Sequence, residues 1–259
     1  MMPRIDVAAS ARAGVELESL DRVHDHQPGC RLEWQGSAAL FDHLWHLRGR
    51  GLVSASTRRS DEGRAARELG LVNRFGALSD AGSEFVGIIA NTTRALRTRI
   101  ESEKGTHHAA MWVDGGRAAM RVELGDGRVG LGVTSVAGAV GHLLDWIAVE
   151  PTWFIGEQEA VTVPLTALRA RYEEHGDRST FGEPAPDVPE WFRRAWEAVG
   201  WRSVFGWSGE TGFGIFAIDV PGFGWLERYS QTDGAVSLRP IRTETVVRQV
   251  IGAVTRDDR

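Results

Sequence analysis

The chain has one cysteine, Cys30, and one lysine, Lys104, among its 259 residues. A single cysteine excludes an intrachain disulfide and every zinc site that is built on a cysteine cluster. No stretch approaches the roughly 20 apolar residues that a membrane-spanning helix needs. The start, Met1-Met2-Pro3, leads into charged residues without an apolar stretch, so we expect no secretory signal peptide. These absences predict a cytosolic protein that acts away from membranes.

The composition is that of an ordinary globular protein, with 42% apolar residues, 25% charged residues and a net charge of −5. A negative net charge argues against non-specific nucleic-acid binding, because such binding depends on neutralising phosphates. The length suits one large domain or two modest ones. Ten tryptophans are present, and large aromatic side chains both stabilise cores and anchor protein–protein interfaces.

An internal repeat organises the chain, because residues 234–254 align without a gap to residues 127–147. In both copies a glycine turn precedes alternating apolar residues, and a helix-start signal with an apolar helical pattern follows. The alternating residues are Val129 and Leu131 in the first copy, and Val236 and Leu238 in the second. Two copies predict a pair of pseudo-symmetric halves rather than a solenoid.

Short β-rich segments precede each copy and are separated by glycine and aspartate turns. They cover residues 108–113, 117–124 and 128–133 in the first half, and 201–208, 212–219 and 224–230 in the second. Alternation is clearest where Met120, Val122 and Leu124 share a face. Both groups are therefore predicted to be antiparallel meanders with one packed face and one partly wet face.

Helical patterns lie before the strands of each half. A first strand over residues 30–34 is predicted to lead into a helix capped by Ser37, and Ser79 or Asp80 is predicted to cap a later one. The apolar positions of these two helices are Leu40, Phe41, Leu44, Trp45 and Leu47, and then Phe85, Ile88, Ile89 and Leu96. In the second half, residues 161–164 are extended before a helix, and residues 191–199 form a short aromatic helix.

Together these patterns predict an α+β fold. Its central antiparallel sheet is built from two pseudo-symmetric meander halves and is flanked by two helical layers. Proline and glycine within residues 149–156 mark a boundary. We expect an N-terminal arm over residues 1–29, a first half over 30–148 and a second half over 149–259. The helical layer of the second half covers residues 161–197, and the whole forms one compact domain.

No arrangement of histidines predicts a metal site. His107 and His108 are adjacent on a predicted strand and point to opposite faces, so they cannot easily chelate one ion. Two spaced pairs, His43 with His46 and His24 with His26, lack the carboxylate that would complete an HExxH-like pattern. We interpret them as surface or boundary histidines.

No catalytic motif is present either. The segment Gly206-Trp-Ser-Gly209 is not a G-x-S-x-G elbow and has no apparent triad partner. Gly212-Phe-Gly214 and Gly222-Phe-Gly224 do not open a helix after a strand, as a phosphate-binding loop would. Bulges and turns in a twisted sheet explain these glycines better. We therefore expect a protein that is not an enzyme and that binds no cofactor and no metal.

Four aromatic residues, Phe181, Trp191, Phe192 and Trp196, are the candidate partner-binding residues. Phe192 and Trp196 lie four residues apart on a predicted helix and share a face, which is typical of a core. Trp191 lies on another face, and Phe181 belongs to a proline-rich loop over residues 176–190. Two interpretations stay open: a core with a loop anchor, or a protein-binding surface.

The order of several segments carries a family resemblance. These segments are Leu32-Glu-Trp34 with the helix over residues 40–47, Leu69-Gly-Leu-Val with Gly76-Ala-Leu-Ser79, Val161-Thr-Val-Pro-Leu-Thr-Ala-Leu168, and Gly222-Phe-Gly-Trp-Leu with Val236-Ser-Leu-Arg-Pro240. In this order, over roughly residues 30–256, the chain resembles the EspG family, the cytosolic chaperones of actinobacterial type VII (ESX) secretion systems. The resemblance is one of pattern and order, not of a sharp motif.

The resemblance implies a quasi-two-fold central sheet between two helical bundles. It also implies binding of a secreted helical-hairpin heterodimer, PE–PPE-like or WXG100-like, whose helical tip docks on the chaperone within residues 161–197. No nucleic-acid or membrane partner is implied, and monomer and homodimer both stay open. The family often has a long recognition loop between the second and third strands, whereas the turn from Asp114 to Arg117 is tight here.

A DNA-binding regulator is the alternative interpretation. Residues 69–85 resemble the end of a winged-helix unit, where the wing returns through a Leu-Ser-x-x-Gly helix start. A locally basic stretch precedes it, containing Arg48, Arg50, Arg58, Arg59, Arg64 and Arg67. The negative net charge and the lack of a clear recognition helix with base-reading side chains argue against this interpretation.

Overall fold

The structure, a computed structural model, describes residues 32–51, 53–150, 158–172, 188–208, 213–232 and 234–255. The predicted arm over residues 1–29, with His24 and His26, lies outside the described residues. So do Cys30 and the candidate residue Phe181. Ten strands and eight helices occur within the described ranges.

The first half runs through five strands and five helices. In chain order they are β1 (Trp34–Ser37), α1 (Ala38–His46), α2 (Ala55–Arg59), α3 (Asp61–Glu68), α4 (Asp80–Asn91), β2 (Arg94–Ser102), β3 (Gly105–Asp114), β4 (Arg117–Gly125), β5 (Arg128–Ser135) and α5 (Val136–Ile147).

The second half repeats the scheme with fewer described helices. Its elements are β6 (Val161–Pro164), α6 (Leu165–Tyr172), α7 (Glu190–Glu197), β7 (Arg202–Ser208), β8 (Phe213–Val220), β9 (Gly224–Thr232), β10 (Ala235–Ile241) and α8 (Thr243–Thr255).

All ten strands form one antiparallel sheet in the order β1-β5-β4-β3-β2-β7-β8-β9-β10-β6. The two four-stranded meanders meet at the β2–β7 pair. Each half adds a short strand at its outer edge, β1 on β5 and β6 on β10. The predicted fold class is confirmed: an α+β fold with two pseudo-symmetric meander halves. The predicted boundaries between arm, first half and second half stay predictions.

The internal repeat corresponds to β5–α5 and β10–α8. Its matched strand residues are equally buried, since Val129 and Val236 are 1% exposed, and Leu131 and Leu238 are 0% exposed. The matched helix residues are buried as well; these pairs are Ala139 with Val246, Leu143 with Val250, and Ile147 with Val254. The apolar pattern that revealed the repeat is therefore the pattern of the core.

The two faces of the sheet are covered differently. One face packs against α5 and α8 in a single continuous core that includes Met111, Met120 and Val250. The other face carries two separate layers. Helices α1, α3 and α4 cover the first half around Phe85, while α6 and α7 cover the second half around Phe192. The middle of that second face lies between the two layers.

Serine caps explain where several helices begin. The Ser79 hydroxyl accepts a hydrogen bond from the Gly82 backbone N–H at 3.2 Å and donates one to the Gly70 carbonyl at 2.6 Å. A Cβ atom at Gly82 would collide with the Leu71 carbonyl oxygen, so this helix start depends on glycine. Ser60 and Ser135 cap α3 and α5 in the same way.

Two boundary predictions are wrong. Leu96 was predicted on the helix that contains Phe85, but α4 ends at Asn91 and Leu96 lies in β2. The physical reason is alternation, because Leu96, Thr98 and Ile100 point to the same buried face of β2. The first strand begins at Trp34, later than predicted.

Candidate functional site

The predicted aromatic residues that the structure describes belong mainly to a core. Phe192 is 0% exposed and Trp196 is 6% exposed, and their rings lie 5.4 Å apart in the core of the second helical layer. Trp191 is half-buried and stacks on Phe223 with ring centroids 6.2 Å apart. Burial of Phe192 and Trp196 favours the core interpretation for these two rings. The partner-binding role of the cluster stays a prediction.

The histidines make local contacts. The His46 ring bonds the Asp42 carbonyl through Nδ1 at 2.6 Å, and burial lowers the pKa of His43 while the charge of Glu62 opposes that shift. His108 donates its backbone N–H to Glu123 Oε2 at 2.9 Å and places Nδ1 3.1 Å from the same oxygen. Within the described ranges, no three His, Cys, Asp or Glu side chains converge as metal ligands would.

Glu123 is the carboxylate that this arrangement perturbs. Partial burial alone would raise its pKa, but the hydrogen bonds from His108 and the positive charge of Arg121 hold the pKa below its ordinary value. The carboxylate is therefore kept ionised beside the His108 ring and the Arg121 guanidinium. This is the environment of a structural ion pair.

A more informative surface lies at the middle of the second face of the sheet. We call it the open strip and define it by Arg97 and Arg99 on β2, Phe205 and Trp207 on β7, and Phe216 on β8. The β2–β7 register places Arg97 opposite Trp207 and Arg99 opposite Phe205. Directly paired residues share a face, so all five side chains project from the side away from α5 and α8.

The aromatic part of the open strip is a compact cluster. Phe205 lies 4.8 Å from Phe216 in an edge-to-face arrangement and 5.7 Å from Trp207. Trp207 is nevertheless 40% exposed and Phe216 37% exposed. A Cβ atom at Gly214 would come within 2.5 Å of the Phe216 ring, so the missing side chain lets this ring lie across the strand.

The cationic part adjoins the rings. Arg99 lies over the Phe205 ring, 5.5 Å from its centroid, and its Nη2 atom is 3.1 Å from Glu101 Oε1. A guanidinium held against an aromatic face gains a cation–π attraction. Arg97 is exposed, and no carboxylate or carbonyl among the described residues lies within bonding distance of it.

Side chains of the two helical layers border the open strip. On the first-half side, Phe41 of α1 stacks on Trp112 at 5.6 Å, and Arg121 lies over the Phe41 ring. On the second-half side, Tyr172 ends α6; burial raises the pKa of its hydroxyl, while a hydrogen bond with Ser203 opposes that shift. The open strip is thus a part of the sheet surface that lies between the two helical layers.

Sequence reasoning missed this surface for an identifiable reason. Assigning Leu96 to a helix hid β2, and with it the alternation that places Arg97 and Arg99 on the face opposite Leu96. The strand over residues 201–208 was predicted, and its alternation already places Phe205 and Trp207 on one face. What the sequence could not show is that β2 and β7 are neighbours.

The segment that suggested a winged helix forms a single isolated bridge, Val72 to Leu78, between α3 and α4. Several of its arginines have local partners. Arg48 lies over Trp45, Arg64 pairs with Asp61, and Arg67 donates to the Arg58 carbonyl. The DNA-binding alternative stays a prediction.

A separate cleft of about 300 Å³ opens between Glu150, Arg202, Asp219 and Trp225. Its main contact is an ion pair in which Arg202 Nε lies 2.9 Å from Asp219 Oδ2. Burial raises the pKa of Asp219, and the hydrogen bond and charge of Arg202 oppose that shift. The paired charges leave the cleft without a free cationic group of its own among the described residues.

None of the helices in the described ranges combines the length and hydropathy that crossing a membrane requires. No protein-family model matches the chain, and no curated protein gives a match. Among solved structures, the chain is similar to the Mycobacterium tuberculosis type VII secretion system chaperone EspG5, whose structure was solved in complex with a PE25–PPE41 dimer. This similarity has a TM-score of 0.48 and 13% sequence identity, and it covers 87% of this chain and 98% of that chain.

Proposed function

We propose that the protein is a non-enzymatic chaperone or adaptor of a type VII (ESX) secretion system that acts in the cytosol. Its task would be to bind the apolar helical tip of a secreted PE–PPE-like or WXG100-like heterodimer and to keep that pair soluble. The observation that carries the proposal is the open strip, with its exposed aromatic cluster between two helical layers. The sequence resemblance to the EspG family supplies the functional class.

The chemistry of the open strip supports a protein partner. Aromatic side chains that stay exposed in a pocket-like position are the usual anchors of protein–protein interfaces, since they bury much area with few rotatable bonds. Trp207 and Phe216 provide two such exposed rings on the sheet, and the half-buried Phe205 contacts both of them. An apolar helical tip placed between the two helical layers would cover these rings, and its own apolar surface would be removed from water.

A chaperone must also release its client. A standard-sized interface with a polar rim binds firmly but reversibly, whereas a large apolar interface tends to be permanent. The open strip is a small apolar patch with arginines along one side. The carboxylates of Glu101 and Glu123 lie on the same face of the sheet. This composition suits a temporary complex.

The test is co-expression with each PE–PPE-like or WXG100-like pair encoded beside the gene, followed by size-exclusion chromatography and titration calorimetry. We expect one stable complex. Trp207→Ala and Phe216→Ala should each weaken it by about 30-fold, the loss typical of an interface anchor worth about 2 kcal/mol. Phe75→Ala is the matched control, because Phe75 is 50% exposed but lies away from the sheet.

Two further outcomes separate the competing interpretations. Loss of the complex on Trp191→Ala, with Trp207→Ala silent, would move the contact to the helical layer over residues 161–197, as the sequence predicted. Failure of every pair to bind, together with salt-sensitive binding of duplex DNA, would contradict the chaperone proposal and favour the winged-helix alternative.

A further inference from the structure

We propose that the segment bound by the open strip is an apolar turn with carboxylates along one side, and that it binds in one orientation. Its apolar side chains contact Phe205, Trp207 and Phe216, and its carboxylates pair with Arg97 and Arg99. This inference rests on the proposed function, because it assumes a protein partner at this surface. It adds the partner's charge and its direction across the sheet.

The β2–β7 register places a cation beside each ring. Arg97 lies opposite Trp207 and Arg99 opposite Phe205, and neighbouring strands are about 4.8 Å apart. A partner segment that covers either ring therefore also covers the position of an arginine on the neighbouring strand. A carboxylate one turn away from an apolar residue on a helical tip reaches that position without changing the backbone.

Covering Arg97 with apolar surface would cost free energy. Arg97 is exposed and has no acceptor among the described residues, so its N–H groups are open to solvent. An entirely apolar partner seated on Trp207 would remove that water and leave a charged group unpaired, which is expensive. A carboxylate on the partner removes the penalty, because an arginine–carboxylate pair can form two charge-assisted hydrogen bonds.

The direction of binding follows from the different neighbours of the two halves. On the first-half side, Arg97 and Arg99 adjoin Ala110 and His108 across β2–β3. On the second-half side, Phe205 adjoins Phe216, and Trp207 adjoins Gly214 across β7–β8. A partner turned by 180° would place its carboxylates on the rings and its apolar residues on the guanidinium groups. Only one orientation is therefore favourable.

Single-stranded nucleic acid is the other ligand that combines flat apolar faces with negative charge. The open strip suits it less well, because Glu101 and Glu123 lie on the same face and would repel a phosphate chain. The net charge of −5 opposes it further. Carboxylates placed at two positions avoid this repulsion, whereas a continuous phosphate backbone cannot.

The test uses three designed two-helix hairpins with the same Leu-Phe tip, which carry along one side of the tip two glutamates, two glutamines or two lysines. Binding is measured by titration calorimetry with the full chain. We expect the glutamate hairpin to bind about tenfold more tightly than the glutamine hairpin. Two exposed ion pairs would form, and each contributes up to about fivefold in affinity. The lysine hairpin should bind least tightly. Salt at about 0.5 M should reduce the differences in affinity among the three hairpins.

Charge reversal supplies the decisive variant. Arg97→Glu combined with Arg99→Glu should invert the order, so that the lysine hairpin binds most tightly. Arg97→Gln combined with Arg99→Gln should make the affinities of the three hairpins similar without inverting their order. This variant keeps the test valid if charge reversal impairs folding. The matched control is Arg50→Glu with Arg59→Glu, which changes net charge equally at two exposed arginines remote from the sheet.

Four outcomes would overturn the inference. The first is equal or undetectable binding of all three hairpins, and the second is inversion of the order by the control variant as well. The third is tight binding of a twelve-nucleotide oligothymidine that is lost on Arg97→Glu with Arg99→Glu, which would assign the strip to nucleic acid. A heterodimer that still binds the charge-reversed chain would contradict this inference while leaving the proposed function intact.

Discussion

Arg97 and Arg99 occupy the fourth and sixth positions of β2, and Phe205 and Trp207 occupy the same positions of β7. The two strands are pseudo-symmetric neighbours, with Thr98 opposite Gly206 at the centre. One half of the open strip is therefore cationic and the other aromatic, although the backbone positions correspond. The scaffold is nearly symmetric, and the chemistry on it is not.

The opposite face of the sheet shows the contrasting behaviour. There Leu143 and Val250 occupy matched, buried positions on α5 and α8, and the two helices pack in one core. Close packing under a helix requires apolar residues of similar volume in both halves. None of the described helices covers the open strip, so no such requirement applies to it among the described residues. The halves differ where a partner can reach the sheet and agree where the fold itself fills the space.

The largest effect is expected from truncating two matched core leucines, Leu131 and Leu238, which lie beneath the two separate helical layers on the same face as the open strip. Leu131→Ala and Leu238→Ala should each lower the free energy of unfolding by about 2–5 kcal/mol, because each leaves a cavity at a fully buried position. The two losses should agree within about 1 kcal/mol if the halves are packed alike. Urea unfolding followed by tryptophan fluorescence measures both.

Leu124→Ala is the control for these variants, since Leu124 is 36% exposed and should cost less than about 1 kcal/mol. A single transition is expected in every case, because one continuous sheet joins the halves. Two separate transitions, or a negligible loss from either buried leucine, would show that the halves are not energetically equivalent.

A smaller effect is expected where the symmetry is broken within the sheet. Arg94 begins β2 opposite Val113, whereas Arg202 begins β7 opposite Asp219 and pairs with it. Asp219→Val gives the second half the pattern of the first and leaves Arg202 without its carboxylate. We expect a loss of about 1–3 kcal/mol in the free energy of unfolding, the usual cost of a poorly satisfied polar group.

Arg94, at the matched position of the first half, donates from its Nη1 atom to the Val254 carbonyl near the end of α8. Asp219→Asn keeps an acceptor for Arg202 and should cost less than Asp219→Val. Thermal unfolding of the three proteins ranks them. Equal stability of wild type and Asp219→Val would mean that the ion pair contributes nothing and that the difference between the halves is neutral.

Much of this fold could be predicted from the sequence, for reasons visible in particular residues. The alternation of Val129 with Leu131, repeated by Val236 with Leu238, predicted two equivalent strand–helix units because burial under a helix imposes that pattern. Glycine turns predicted the meanders. Ser37 and Ser79 predicted the starts of α1 and α4 within one residue.

The open strip could not be predicted in the same way. Local periodicity places Phe205 and Trp207 on one face, but only the pairing of β2 with β7, about a hundred residues apart in sequence, brings Arg97 and Arg99 beside them. Burial also depends on tertiary packing. The spacing of Phe192 and Trp196 predicts a shared core face, but only the positions of β8 and β9 show what that face packs against.

The smallest expected effect concerns matched positions on the two central helices, where α5 has His142 and α8 has Gln249. Burial lowers the pKa of His142 below its ordinary value near 6.5, and the charge of Asp145 opposes that shift. The native state therefore favours the neutral ring. The contribution of His142 to stability is complete above pH 6.5 and is lost as the pH falls through the lowered pKa.

His142→Gln, which installs the residue of the second half, should remove this loss. The loss is measured as the change in urea-unfolding free energy between pH 7 and about pH 5. The change should stay below about 1 kcal/mol because solvent reaches half of the side chain. Asp145→Asn should enlarge it, since the opposing charge is gone. An unchanged pH dependence in His142→Gln would place the titration elsewhere and would remove this distinction between the two helices.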